Sequence, residues 1–186
     1  MTVRRPLAIA AAVLALAGCT QASDTSESPS KSPGTADSAL IADHNEADVA
    51  FTSGMIPHHS QALMMVQMAE GRPQSAAFRE LLGNIHDAQA PEIEQMSSWL
   101  LEWGEPVPEH ANDMSDMSSM HMGDGMEGML TGEQMMSLNA TPDAGFETAW
   151  LKAMIKHHRG AIAMAEGVLA NGQHDGVRAL AQSIAD

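Results

Sequence analysis

The chain has 186 residues, a formal charge of −15, sixteen methionines, one cysteine and no tyrosine. So negative a balance excludes a nucleic-acid binder, because a phosphate backbone needs a basic surface, and aromatics at 3% leave few platforms for stacked bases. A lone cysteine excludes thiolate zinc clusters, so any metal must be held by histidine, methionine or carboxylate.

The first nineteen residues, MTVRRPLAIAAAVLALAGC, place Arg4 and Arg5 before an apolar run from Leu7 to Ala17. These are the parts of an export signal (residues 1–18), too short to span a membrane as a helix. The ending Leu16-Ala17-Gly18-Cys19 resembles a bacterial lipobox, which implies cleavage before Cys19 and a lipid on its sulfur; a plain signal peptide or an N-terminal anchor is the alternative. Cleavage takes Arg4 and Arg5 with it, moving the charge from −15 to −17. Residues 19–42 are rich in Ser and Pro without apolar periodicity, as expected of a disordered tether holding residues 43–186 off the membrane surface.

Helical patterning begins near Asp43 and lasts to about Glu70, where Gly71-Arg72-Pro73 supplies a stop and a new start. A second helix is expected from Gln74 to Trp103, ended by Gly104 and Pro106. Residues 105–130 form a methionine-rich connection. Thr131-Gly132-Glu133-Gln134 then fits a capping box for a short helix. Thr141 followed by Pro142 reads as an N-cap with proline at the first helical position, opening a helix to about Ala170. After the turn NGQHDG a fourth helix starts near Asp175. No run shows the period-two alternation of a half-buried strand.

Two stretches repeat. Shifted by 99 residues without gaps, Asp48–Asp87 and Glu147–Asp186 agree at 12 of 40 positions, including Met55/Met154, His58/His157, His59/His158 and Met65/Met164. A duplicated helical hairpin accounts for this, and two hairpins burying their apolar stripes together make an all-α four-helix bundle. The second copy stops at Asp186, so its last helix is about four turns shorter than its counterpart. Either the chain continues or part of the apolar interior stands uncovered.

At 100° per residue, with Met55 at zero, His58 falls at about −60° and His59 at about +40°, astride an apolar stripe. His157 and His158 straddle the equivalent stripe, while Lys152, Lys156 and Arg159 take the opposite face. Four histidines thus point into a bundle, where polar groups are costly unless satisfied. Core histidines bonded to neighbours are the bland explanation; metal ligation is the sharper one. Met55 and His59 are i,i+4 neighbours that can chelate one ion, as are Met154 and His158, whereas His58 and His157 are expected to seek partners on facing helices. Thioether sulfur is soft and favours Cu(I), and imidazole also accepts Cu(II). Met64, Met65, Met68 and Met164 read as core filling. Pro57 should disturb the first helix beside its histidine pair.

In the connection, Met114, Met117, Met120, Met122, Met126 and Met129 lie among Ser, Asp and Gly, with His121 between two of them. No Leu, Ile, Val or Phe occurs from Ala111 to Met126 for them to pack against. An adaptable soft-metal site is the expectation, with His110 and the acids Asp113, Asp116 and Asp124 raising the local cation concentration.

The stretches DVAFTSGMIPHHSQALMMVQMA and AQAPEIEQMSSWL, the methionine-rich connection and FETAWLKAMIKHHRGAIAMAE together resemble the bacterial domain of unknown function 305 family, from about Asp43 to Asp186. The resemblance implies a ferritin-like helical bundle and, for some exported members, copper binding and copper tolerance. By motif it implicates Met55, His58, His59, Met154, His157 and His158. The chain departs from the pattern by ending before a second AQ..EI..M..W segment.

The function expected is therefore an exported, membrane-anchored copper-binding lipoprotein, with no catalytic role, that sequesters Cu(I)/Cu(II) or exchanges it with a donor or acceptor protein in the envelope. A cell-envelope interaction module with structural histidines is the alternative. A ferritin-like metal-dependent oxidase fits less well: such sites use Glu-x-x-His pairs, and the chain has none, although Glu92 and Glu94 are available carboxylates.

Overall fold

The computed structural model describes residues 43–108 and 126–186. The expected signal, the tether, Cys19, and Met114, Met117, Met120, His121 and Met122 of the connection lie outside the described residues. Five helices appear: α1 (Glu46–Met68), α2 (Ala76–Trp103), α3 (Gly132–Asn139), α4 (Asp143–Asn171) and α5 (Asp175–Ala185), with no strand among the described residues. None of them is long and apolar enough to cross a membrane.

Local chemistry explains most boundaries. Asn45 opens α1 with a capping box, its side chain accepting from the Asp48 backbone while Asp48 accepts from the Asn45 backbone. Gly104 ends α2 at φ 75°, a left-handed cap that glycine adopts without steric cost. The Thr131–Gln134 capping box forms as expected. At α4 the expectation needs correcting. Pro142, not Thr141, is the N-cap, and it makes no side-chain cap bond. The Thr141 hydroxyl is already committed, donating to the Ser137 carbonyl of α3 at 3.1 Å. Helix α1 runs on through Pro57, and α2 through Pro91.

α1 packs on α2, α4 on α5, and the two hairpins meet along α1 and α4 to give an all-α bundle, with α3 against α4. Its core divides into two clusters. One gathers Met65, Phe78, Leu82, Leu138, Trp150 and Met154, and the Trp150 indole donates to the Met65 carbonyl at 2.7 Å. The other gathers Phe51, Met55, Ile93, Met96, Leu100 and Val177. Each such side chain contributes about 1.5–3 kcal/mol by leaving water. Met64, Met65 and Met68 lie in the core, as their spacing suggests.

Two carboxylates fasten the hairpins at their ends. Buried Asp48 of α1 accepts the Gln173 and His174 backbone N–H groups at 3.0 and 3.1 Å. Glu147 of α4 accepts the Ser75 hydroxyl at 2.9 Å. Ser75 and His174 are the N-caps of α2 and α5. Asp48 and Glu147 stand 99 residues apart, and so do Ser75 and His174. The first helix of each hairpin therefore holds the cap of the other hairpin's second helix.

The symmetry fails where α5, with 11 residues, is matched against α2, with 28. A groove of about 320 Å³ lies open between α2 and α4, lined by Leu81, Ile85, Met154, Ile155, His158 and Ile162. Ile155 is 54% exposed there, whereas Ile56, its counterpart in the repeat, is fully buried.

Candidate metal centre

Helical periodicity turns His58 and His157 inward from facing helices, and their rings meet at a centroid distance of 3.9 Å. Both are buried, and among the described residues all four of their ring nitrogens lack a hydrogen-bond partner. The Nδ1 atoms of His59 and His158 are buried and unpartnered as well. Six imidazole nitrogens thus stand unused. Native interiors rarely tolerate this, because an unsatisfied buried polar group costs about 1–3 kcal/mol.

Burial and mutual repulsion disfavour the charged form of His58, His157 and His158. Burial pushes the His58 imidazole down to about 4, with repulsion from His59 and then His158 adding to it; the Glu127 backbone opposes the shift without making a full hydrogen bond. His157 is driven well below the usual range by burial and then by His58, His158 and His59. His158 shifts the same way, through burial first and His59 second. A neutral imidazole keeps one lone pair free for a metal. The four histidines also act on one another, so they form one group rather than two remote pairs.

Met55 and Met154 do not share a cluster: Met55 sits in the one around Leu100, and Met154 in the one around Trp150. Each precedes its second histidine by one helical turn. Among the described residues, no three His, Cys, Asp or Glu side chains already surround a common point. His157 and His158 rings, for instance, stand 6.2 Å apart. A metal held here would have to draw on thioethers or on a low coordination number, both of which suit soft Cu(I) better than Zn(II) or Mg(II).

The end of the methionine-rich connection returns to this same region. Leu130 exchanges two hydrogen bonds with the Gln61 side chain, each 2.8 Å. Gly128 takes φ 85° and lies against Gly160, where an added β-carbon would fall 2.0 Å from the Glu127 carbonyl oxygen. Position 61 and its repeat partner 160 thus hold the same returning segment, one with an amide and the other by having no side chain. Met126 sulfur and the Met164 methyl lie 3.8 and 3.0 Å from where a β-carbon on Gly54 would stand, one turn before His58. Met129 is buried, so packing does account for this one member of the connection's series.

Helix α2 contributes what the histidine motif does not announce. His59 Nε2 and Glu92 Oε2 are 2.7 Å apart, and Gln89, one turn earlier, buries an unpartnered amide oxygen. Glu92 was visible as an available carboxylate, but its pairing with His59 spans 33 residues and has no local signature.

Known proteins share this architecture. The crystal structure of a Streptomyces coelicolor protein described as secreted has a TM-score of 0.63 at 29% identity, covering 75% of this chain and 81% of that one. CopM in its Cu(II)-bound form scores 0.60 at 29% identity over 74% and 85% of the two chains. In its Cu(I)-bound form it scores 0.53 at 25% identity over 74% and 84%. No curated protein matches the chain. Residues 48–186 match the family model for the domain of unknown function DUF305, and the chain belongs to that family.

Proposed function

We propose that this protein is an exported copper-binding lipoprotein that sequesters Cu(I) or Cu(II), or passes it to another envelope protein. Its donors are His58, His59, His157 and His158 with Met55 and Met154. The observation that carries the reading is the layer of four histidines whose six buried ring nitrogens have no partner among the described residues. Buried donors left unsatisfied by protein are suited to satisfaction by a metal, and the neighbouring thioethers select a soft one. CopM, a structural relative, has Cu(II)-bound and Cu(I)-bound forms, which supports copper as the cargo. Met114, Met117, Met120, His121, Met122 and Met126 act as a looser capture segment feeding the histidine layer, in keeping with the return of Met126 to the vicinity of Gly54. Cys19 carries the lipid, and the protein acts by binding rather than by catalysis.

The test is a Cu(I) competition titration against a colorimetric chelator, using the chain from Asp37. It is run beside a variant with all four histidines changed to Ala and a variant with Met114, Met117, Met120 and Met122 changed to Leu. Tight sites should vanish in the first and weaker ones in the second. If the unmodified protein fails to compete, the copper reading is wrong and an envelope interaction module replaces it.

A further inference from the structure

We infer that Glu92 is the positioning residue of this centre: it holds His59 as the Nε2–H tautomer, leaves Nδ1 as the metal-donating nitrogen, and supplies the negative charge that a buried copper cation needs. The inference rests on the copper reading above.

A carboxylate only accepts hydrogen bonds, so at 2.7 Å from Glu92 Oε2 the proton must sit on His59 Nε2. The other ring nitrogen, Nδ1, is buried without a partner. A second N–H there would be left without an acceptor, so the neutral Nε2–H form fits the site and Nδ1 presents a lone pair. His59 is 3% exposed and Glu92 23%, so the pair spans the bundle wall, with the imidazole inside and the carboxylate near solvent. Carboxylate–histidine–metal relays of this kind orient the ring and raise its basicity.

Charge gives a second reason. None of the six unpartnered nitrogens carries a negative charge, and a cation moved among them from water is penalised unless an anion lies close. Among the described residues, Glu92 is the carboxylate in hydrogen-bond contact with a histidine of the layer; the other His–carboxylate pairs, His44–Asp43 and His86–Asp87, join sequence neighbours outside it. The repeat offers an internal control. His158, the counterpart of His59, has no carboxylate bonded to it and borders the apolar groove instead. The two halves of the layer are therefore unequal, with the α1 side the preorganised one.

The experiment uses the full chain and reads two quantities. Long-range ¹⁵N–¹H NMR of the metal-free protein assigns the His59 tautomer, and Cu(I) competition gives the affinity. Glu92→Leu removes acceptor and charge; Glu92→Gln removes the charge but keeps an acceptor; Glu94→Leu, on the exposed side of α2, is the control. The unmodified protein should show Nε2–H at His59. Glu92→Leu should lose that preference and weaken Cu(I) binding about 10- to 100-fold. Glu92→Gln should keep the tautomer and lose affinity by a smaller factor, and Glu94→Leu should match the unmodified protein. An Nδ1–H tautomer in the unmodified protein, or unchanged affinity in both Glu92 variants, overturns the assignment. Failure of the unmodified protein to bind Cu(I) while His59 remains Nε2–H overturns the copper reading itself, and with it any service of Glu92 to a metal.

Discussion

In α1 the histidine pair is sealed: Ile56 is fully buried beside it, and Glu92 of α2 bonds His59. In α4 the same Met-Ile-X-His-His run stands beside an open groove, Ile155 is more than half exposed, and no carboxylate among the described residues bonds His158. The motif is common to both hairpins, but its surroundings are not. What a histidine can do is decided by the helix laid against it, which is why repetition of a motif does not imply two equal surroundings.

Position 61/160 gives the sharpest way to break the comparison. Gly160→Gln, which copies the first repeat into the second, should force Glu127 and Gly128 off α4 and cost about 3 kcal/mol or more. The reverse change, Gln61→Gly, leaves the Leu130 backbone groups without their buried partners and should cost about 2–3 kcal/mol. Urea denaturation of each variant measures both. Equal and small effects would mean that the returning segment is not held by this pair.

The isoleucine pair comes next. Ile56→Ala should destabilise by about 3 kcal/mol, the usual result for a large-to-small change in a packed core. Ile155→Ala, at the exposed counterpart, should cost less than about 0.5 kcal/mol. A comparable loss at both positions would show that the groove is covered in solution.

Acid should act through His58, His157 and His158. In the unfolded chain these histidines bind protons near pH 6.5, whereas in the folded chain His58 does so only near pH 4, and His157 and His158 are shifted downward too. Between those values the unfolded state holds more protons, so stability is present above pH 6.5 and falls as pH drops through the window. The slope is about 1.4 kcal/mol per pH unit for each fully shifted histidine. Thermal melts of metal-free protein at pH 7 and pH 5.5 should show the loss, and His58→Leu with His157→Leu should flatten it. A melting temperature unchanged by pH would contradict neutral buried histidines.

Much of this was legible in residue order. Gly104 and the Thr131–Gln134 box mark their helix ends by local chemistry. The 3.6-residue period alone turned His58 and His157 inward, because a stripe of buried neighbours fixes the rotation of a helix. Other features depend on contacts between remote segments. Gly160 looks like a weak point in a helix until Glu127 is seen resting on it. Glu92 carries no mark distinguishing it from Glu94 until α2 is laid on α1. Thr141 reads as a cap because threonine favours that role, yet the close approach of α3 gives its hydroxyl another acceptor.

The Asp48 and Glu147 fastenings at the two ends of the bundle have a consequence for its history as well as its mechanics. Register between the hairpins is fixed by four positions well away from the histidines, so the interior can exchange donor residues without losing alignment. Alignment of the hairpins and the identity of the residues at their midpoint are thus separable traits on this scaffold. Substitution can change the middle of the bundle while the joints at either end keep the two hairpins in step.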